Sequence, residues 1–597
     1  TRSDSSGASR FMPSTPSTAS RTATSSRLGK RGRREEASEW ATSSGTSIFT
    51  SPAAMRACAR EILAHDLDDL DALALFAQAS LYLGDEEQAR RIARRGLSAD
   101  PKNWRMLLVT GEVAAANFEL YQAISALERL WHLGEVKAGE LSEPERGILE
   151  RAGALLADAF YLLGRAAEAS DMCFALSSFA VGTEKKAELY GKGLFLMNYL
   201  AEDARTAARR ERYNAFFGAK VTLPHTRPDG VPQRKLRIGY LSPDFREHAV
   251  ANFLTPFLRD YSKLDFNVYC YQRGVGDKVT RRFRRFAAVW RDVSELTATE
   301  AARRIFEDKI DILVDFSGHS QGSGLPILAL KPAPVQISGI GDIHTTGLRE
   351  TDYFLSDMIC LPPGQPARGF TEKIALLPYC HLCYAPDIVR ELPREAVVPP
   401  AEKNGFVTFG SFNNFAKVSR ETLLLWRSVL EAVPDARFIL KGKIASIPDG
   451  RAEATARLKG IGIDPARVEL RPYSPDYLEQ YADIDVALDT TPYNGGLTTC
   501  EALVMGVPVV SLRGTSHASR YGATILENAG LPELVAGSDT EYINKAVRIA
   551  RSLPILREFH AKLRRVVQKS RLMDGAAYMR DMEELYRKIW RDYCEGR

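Results

Sequence analysis

The stretch that decides the fold is DVALDTTPYNGGLTTCEALVMGVPVVSL, residues 485–512. It opens on a short apolar run, crosses a turn of Thr, Pro, Asn and Gly, enters an apolar segment with one embedded acid, and returns to a second apolar run. Those periods read as strand, loop, helix and strand, the unit of a parallel sheet covered on both faces. The loop sets Gly495 and Gly496 before Thr498 and Thr499, with Glu501 following. Small and hydroxyl-bearing residues at a helix N-terminus suit an anion, because backbone N–H groups and the helix dipole converge there. A phosphate or pyrophosphate fits this pattern. So does a plain cap, Thr at the N-cap with Glu at N3, which needs no ligand. Glu501 is expected on the first turn, where a carboxylate can accept bonds from ribose hydroxyls.

The same rhythm extends outward in both directions. VTFGSF, ARFILKG and RVELRPY precede the stretch, each separated by an amphipathic segment. An earlier set, LRIGYLS (236–242), NVYCYQ (267–272), IDILVDF (310–316) and VQISGIG (335–341), follows the same alternation. Two doubly wound, Rossmann-like α/β domains in tandem are expected, at 234–395 and 396–569, with a ligand between them at the carboxyl ends of the strands. An amphipathic helix is expected over 570–597.

Residues 47–221 read differently. LAHDLDD (63–69) and LSADPKN (97–103) are offset by 34 residues, as are DEEQARRIA from Asp85 and ELYQAISAL from Glu119. YLLGRAAEASDM (161–172) continues the register after a 12-residue insertion. A period of about 34 with small residues at helix crossings is the tetratricopeptide pattern, α-helical pairs that stack to present a concave surface to a protein or peptide. Residues 1–46 are rich in Ser, Thr and Arg and too poor in large apolar groups to order themselves. Their run LGKRGRR (28–34) reads as part of a solvated tail, a localisation signal, a nucleic-acid tether or a transit-type segment.

Composition bounds the function. The 597 residues carry a net charge of +5, and residues 1–34 hold eight Lys/Arg against one acid, so the remainder is near neutral. That disfavours a dedicated nucleic-acid surface. No apolar stretch is long enough to span a membrane. Eight scattered cysteines read as reduced thiols of a cytoplasmic protein. The chain starts on Thr, which suggests a fragment or a processed form.

Other strand-to-loop junctions carry candidate chemistry. FGSFNNFAKVS (409–419) offers Asn413, Asn414 and Lys417, and a lysine there can meet a phosphate as a point charge. IGYLSPDFREHAVANF (238–253) puts Asp244 and His248 just beyond a strand, where a histidine can act as general base. His319 in DFSGHSQG and His344 in GDIHTTG, with Thr345 and Thr346 beside it, follow later strands. CHLC (380–383) lacks the second pair a zinc site needs. In Asp483-Ile-Asp485 the second acid runs into a strand and reads as structural, so no metal ligand set is expected.

Taken in order, IGYLSPDFREHAV, DILVDFSGH, LKPAPVQ, DYFLSD, EKIALLP, FGSFNNFAKVS, DTTPYNGGLTTCEALVMGVPVVSL and HASRYGATILENAGLPELVA resemble the catalytic region of the O-linked N-acetylglucosamine transferases, bacterial members most. The resemblance covers residues 236–560 and extends to the repeats ahead of it. It implies a GT-B type, inverting, metal-independent glycosyltransferase with no cofactor beyond its donor, UDP-GlcNAc, acting on Ser/Thr of proteins held by the repeats. By that resemblance the anion at Gly496, Thr498 and Thr499 is the donor pyrophosphate. Lys417 neutralises the departing diphosphate, Asn414 sits at the donor site, and Glu501 falls where the family usually has an aspartate for ribose. His248 matches the family's base or positioning histidine. His319, His344, Thr345 and Thr346 fall at the acceptor and sugar side.

The chain also departs from the pattern. GIGDIHTTG (339–347) replaces a WLGYPGTTG-like segment, Gly324 stands where relatives often carry Arg, and Leu497 and Val504 replace a polar residue and a Trp. A donor other than UDP-GlcNAc, such as GDP-fucose, and a repeat scaffold with a degenerate transferase half therefore stay open.

Overall fold

The computed structural model describes residues 51–137, 141–202, 204–218, 222–226, 233–364, 369–386 and 398–596. The basic tail 1–46, part of the link at 222–233 and the expected boundary at 395 lie outside the described residues. The chain divides into two compact units, Thr1–Ala159 and Phe160–Arg597.

In the first unit the described residues form helical hairpins, beginning with Pro52–Leu63, Leu70–Tyr82, Glu86–Ala99, Trp104–Ala116 and Leu120–Val136. The period is visible in the caps. Asp69 and Asn103 each accept the backbone N–H three residues on, Ala72 and Met106, and Asp85 caps the helix Glu86–Ala99 through Gln88. Left-handed residues recur at the turns, Gly84 (φ 79) and Phe118 (φ 57) here and Gly164 (φ 69) at the start of the second unit. Where helices cross, side chains must be small. Ala89 and Ala123 are fully buried, and a Cβ on Gly96 or Gly111 would lie 2.4 Å from Met106 or Leu127.

The second unit opens with the helices Ala166–Phe179, Thr183–Met197 and Ala204–Arg212 and continues into two parallel sheets. The first has the order β3-β2-β1-β4-β5-β6-β7. Its strands are β1 Leu236–Ser242, β2 Phe266–Gln272, β3 Val289–Asp292, β4 Ile312–Asp315, β5 Val335–Ser338, β6 Tyr353–Asp357 and β7 Lys373–Leu377. The second has the order β10-β9-β8-β11-β12-β13. Its strands are β8 Thr408–Ser411, β9 Arg437–Lys441, β10 Val468–Arg471, β11 Val486–Leu488, β12 Val509–Leu512 and β13 Val535–Ala536. β4, β5, β8 and β11 are buried along their whole length, which is why they read as unbroken apolar runs rather than alternating ones.

Strand order reverses between β1 and β4 in one sheet and between β8 and β11 in the other. These switch points open a crevice at the carboxyl ends of the strands. The loops leaving β1 and β4 carry His248 and His319, and those leaving β8 and β11 carry Lys417 and the glycine turn. The final helix, Gly575–Glu595, begins on the Asp574 cap and returns to the first lobe. Tyr578 Oη donates to His381 O at 2.8 Å, the Tyr578 ring meets Phe257, and Tyr586 Oη lies 3.4 Å from Tyr240 Oη.

Candidate active site

The glycine turn is held from behind. Asp489, buried at the end of β11, accepts Thr490 N–H at 2.8 Å, Gly495 N–H at 2.7 Å and Ser511 Oγ–H at 2.6 Å. Asn494 donates from Nδ2 to Thr490 O at 2.6 Å and accepts Gly522 N–H at 3.3 Å. Gly495 is required by space, since a Cβ there would lie 2.6 Å from both Thr498 Oγ1 and Thr499 Oγ1. Helix Leu497–Val504 then starts with Gly496 as N-cap, and no side chain caps it. The capping-box alternative is therefore not realised. Thr498 Oγ1 donates to Asn413 Oδ1 at 2.8 Å and Thr499 Oγ1 to Gly495 O at 2.9 Å, leaving the first-turn N–H groups without a side-chain cap. A small cavity opens beside them, lined by Phe412, Asn413, Tyr481, Thr498 and Thr499.

Lys417 ends a short 3-10 turn, Phe415–Lys417, which Asn414 caps by accepting Ala416 N–H at 3.1 Å. Its amine donates to Asn494 O at 2.8 Å and stands 3.6 Å from the centroid of the Tyr493 ring. Loss of water pushes this amine down to about 8, with Asp489 pulling the other way. A poised cation thus sits against the same turn that leads into the helix N-terminus.

Glu501 lies in the second turn of the helix, one turn later than expected, and is buried. Tyr477 Oη donates to it at 2.5 Å. Burial raises its carboxyl to about 7, with the Tyr477 bond opposing.

In the first lobe, Asp244 is buried and His248 exposed, with Nδ1 of the histidine 3.4 Å from the carboxylate. Desolvation moves the histidine below its usual range and the aspartate above it, each opposed by the other. Glu247 N–H on Asp277 and Thr280 Oγ1 on Phe245 O fix this loop.

The remaining candidates turn inward. His319 Nε2 bonds Thr346 O at 2.9 Å and its ring stands edge-on to Tyr213. Burial drops it to about 4. Thr345 and Thr346 hydroxyls both donate to Glu372. His344 is stacked on Phe370, bonds Glu202 at 3.0 Å through Nε2, and accepts Thr345 N–H through Nδ1. The residues expected at a sugar pocket therefore sit in an interior network, and His344 lines a small cavity with Asn198, Glu202, Arg210 and Pro492.

The model of glycosyl transferase family 41 matches residues 217–398 and 391–582. The chain belongs to that family. A Thermobaculum terrenum O-GlcNAc transferase mutant superposes with a TM-score of 0.73 at 31% identity, covering 92% of this chain and all of that one. A probable UDP-N-acetylglucosamine–peptide N-acetylglucosaminyltransferase SPINDLY of Solanum lycopersicum is 38% identical over 418 residues, 68% of this chain and 44% of that protein. The Caenorhabditis elegans UDP-N-acetylglucosamine–peptide N-acetylglucosaminyltransferase is 25% identical over 482 residues, 61% of this chain and 41% of that protein. The match spans under half the length of these curated relatives. Helical repeats followed by two doubly wound lobes are thus a GT-B architecture, in keeping with family 41.

Within this family 41 chain several site residues escape a sequence reading. Asp489 was legible only as the end of a strand. Tyr477 and Tyr493 carry no motif. Asp342 accepts Asn198 Nδ2 at 3.1 Å and His319 N–H at 2.8 Å, and Arg210 donates to Asn198 at 3.2 Å. Among the described residues, Cys360, His381 and His517 bring ligand atoms within 4.8 Å of one another. His381 Nδ1 is bonded to Asp357 at 2.5 Å, and His517 lies between Ile343 O and Ser356 Oγ at 2.9 and 3.0 Å. The imidazoles tie the two lobes together. Asp485 accepts Ala401 and Thr408 N–H groups, and Asp483 pairs with Arg471, so the Asp-x-Asp acids serve the fold.

Proposed function

We propose that this chain transfers N-acetylglucosamine from UDP-GlcNAc to Ser or Thr hydroxyls of proteins, with inversion and without a metal. The observation that carries this reading is the convergence of the Lys417 amine and the uncapped helix N-terminus on one preorganised turn. As the acceptor oxygen bonds to the anomeric carbon, the bond from that carbon to the phosphate oxygen breaks and UDP departs with the electron pair. Charge builds on the diphosphate, and fixed donors aimed at such charge supply most of the barrier reduction. Lys417 and the N–H groups after Gly496 fill that role, with Thr498, Thr499 and Asn414 shaping the donor site. His248, beside Asp244, takes the acceptor proton or places the hydroxyl. Glu501 and Tyr477 border the ribose. The repeats at 47–221 hold the acceptor, and the lobes at 234–395 and 396–569 do the chemistry, in the cytoplasm. Among the described residues no helix is long and apolar enough to cross a membrane.

The relatives named for UDP-N-acetylglucosamine support this donor. The segment around Asp342 and His344, which replaces the aromatic segment of the family pattern, keeps a second donor worth testing. Calorimetric titration with UDP and GDP, wild type beside Lys417→Ala, decides. Tight UDP binding that collapses in the variant, followed by transfer to peptide, supports the reading. GDP preference redirects it to a fucose-type donor. A folded protein that binds neither leaves only the scaffold.

A further inference from the structure

From Phe160 on, the helical part of the second unit touches the residues that hold Lys417: Asn414, Phe415 and Tyr493. Tyr161 Oη accepts Asn414 Nδ2–H at 2.7 Å, and the other end of that same amide caps the turn carrying Lys417. Arg457 donates to Gly164 O at 3.2 Å and Leu163 O at 3.1 Å while its guanidinium lies over Phe415. Gly164 is left-handed, and a Cβ on it would stand 2.7 Å from the Phe415 ring. Beyond the helix Thr183–Met197, Tyr199 is 7% exposed. Its ring lies 5.4 Å from that of Tyr493, the ring on which the Lys417 amine rests. Tyr161 and Tyr199 also touch each other, Oη to Oη at 3.5 Å.

One tyrosine thus sets the turn that presents Lys417, and the other backs the ring beneath its amine. We infer that Tyr161 and Tyr199 are positioning residues for Lys417, so that the last helical hairpins form the back wall of the donor site as well as leading to the acceptor. The inference rests on the transferase reading above. It follows from the steep cost of misplacing a charged group, where about 1 Å is enough for about a hundred-fold in rate. It also follows from the shape of the contacts, which a merely stacked neighbour would not need. A hydrogen bond to the cap residue and a left-handed turn seated on Phe415 fix rotation as well as distance.

The test uses the full chain with UDP-GlcNAc and an acceptor peptide, following kcat, donor KM and melting temperature between about pH 6 and 10. Tyr199→Leu removes the ring while keeping an apolar filler. It should lower kcat about ten-fold, leave peptide KM unchanged, and move the alkaline limb of the rate to higher pH as water reaches the amine. Tyr199→Phe keeps the ring and should restore most of the rate. Tyr161→Phe deletes one hydroxyl and should lower kcat about three-fold at unchanged melting temperature. If Tyr199→Leu does not fold, Tyr161→Phe decides alone. Wild-type kcat and wild-type alkaline limb in these variants, with Lys417→Ala inactive, would overturn the positioning role and leave the transferase intact. A folded wild type that binds neither UDP nor GDP overturns the transferase reading, and this inference with it.

Discussion

Beyond β8 and β11 the second lobe leaves an amine with spare donors and an uncapped helix start on a turn braced by Asp489. Beyond β4 and β5 the first lobe does the reverse, spending the Thr345 and Thr346 hydroxyls on Glu372, while His319 gives Nε2 to Thr346 O and keeps Nδ1 unpartnered in the packed interior. Both regions sit at the mouths of parallel sheets, and both looked equally chemical as strings of His, Thr and Gly. The difference teaches that the polar residue itself is a weak signal of function. What distinguishes the second-lobe turn is a cation held rigidly by others while donors of its own stay unspent beside an uncapped helix start.

That contrast can be broken most sharply at Lys417. Lys417→Ala should cost about a thousand-fold in turnover, about 4 kcal/mol, at unchanged melting temperature. The wild-type rate should fall as pH rises through about 8, where the cation is lost. A variant that keeps its rate would remove the second lobe's claim. Gly495→Ala comes next. Its Cβ meets two threonine hydroxyls at 2.6 Å, so the turn must move, and donor kcat/KM should drop about a hundred-fold.

The first lobe predicts the opposite profile. His319→Ala should lower stability by about 3 kcal/mol through a lost bond and a cavity, read by denaturant melts, while activity per folded molecule stays near wild type. Large loss of activity at unchanged stability would make His319 part of the machinery. Glu501→Gln is the smallest effect. The folded-state carboxyl is raised to about 7, so its ionisation opposes folding. The penalty is absent below the unfolded value, near 4.5, grows as pH rises towards 7 and is complete above it. The amide should therefore stabilise the ligand-free protein by about 2 kcal/mol at pH 8 and by little at pH 4. Equal melting curves at both pH values would refute the raised carboxyl.

The parts of the fold carried by local pattern were readable before any coordinates. The 34-residue offset predicts stacked helical pairs, and the stretch 485–512 predicts strand, turn, helix and strand. Resemblance added the expectation that Lys417 and the threonines share a site. The rest was hidden because it depends on groups distant in sequence. Tyr161 meets Asn414 across 253 residues, and Thr346 finds Glu372 across 26. Glu501 reads as a first-turn carboxylate in the sequence, whereas Gly496 is the N-cap and places Glu501 in the second turn, bonded to Tyr477. No period or motif encodes which neighbour will absorb a hydroxyl.

The helix Gly575–Glu595 has a mechanical consequence. The chain passes from first lobe to second between β7 and β8, and passes back before this helix docks on Phe257, Tyr240 and His381 O. The second lobe is therefore tied to the first at two places along the chain, like a strip stitched at both ends. Cutting the chain before Gly575 should remove one stitch together with the Tyr578 and Tyr586 contacts, and lower the stability read by denaturant melts.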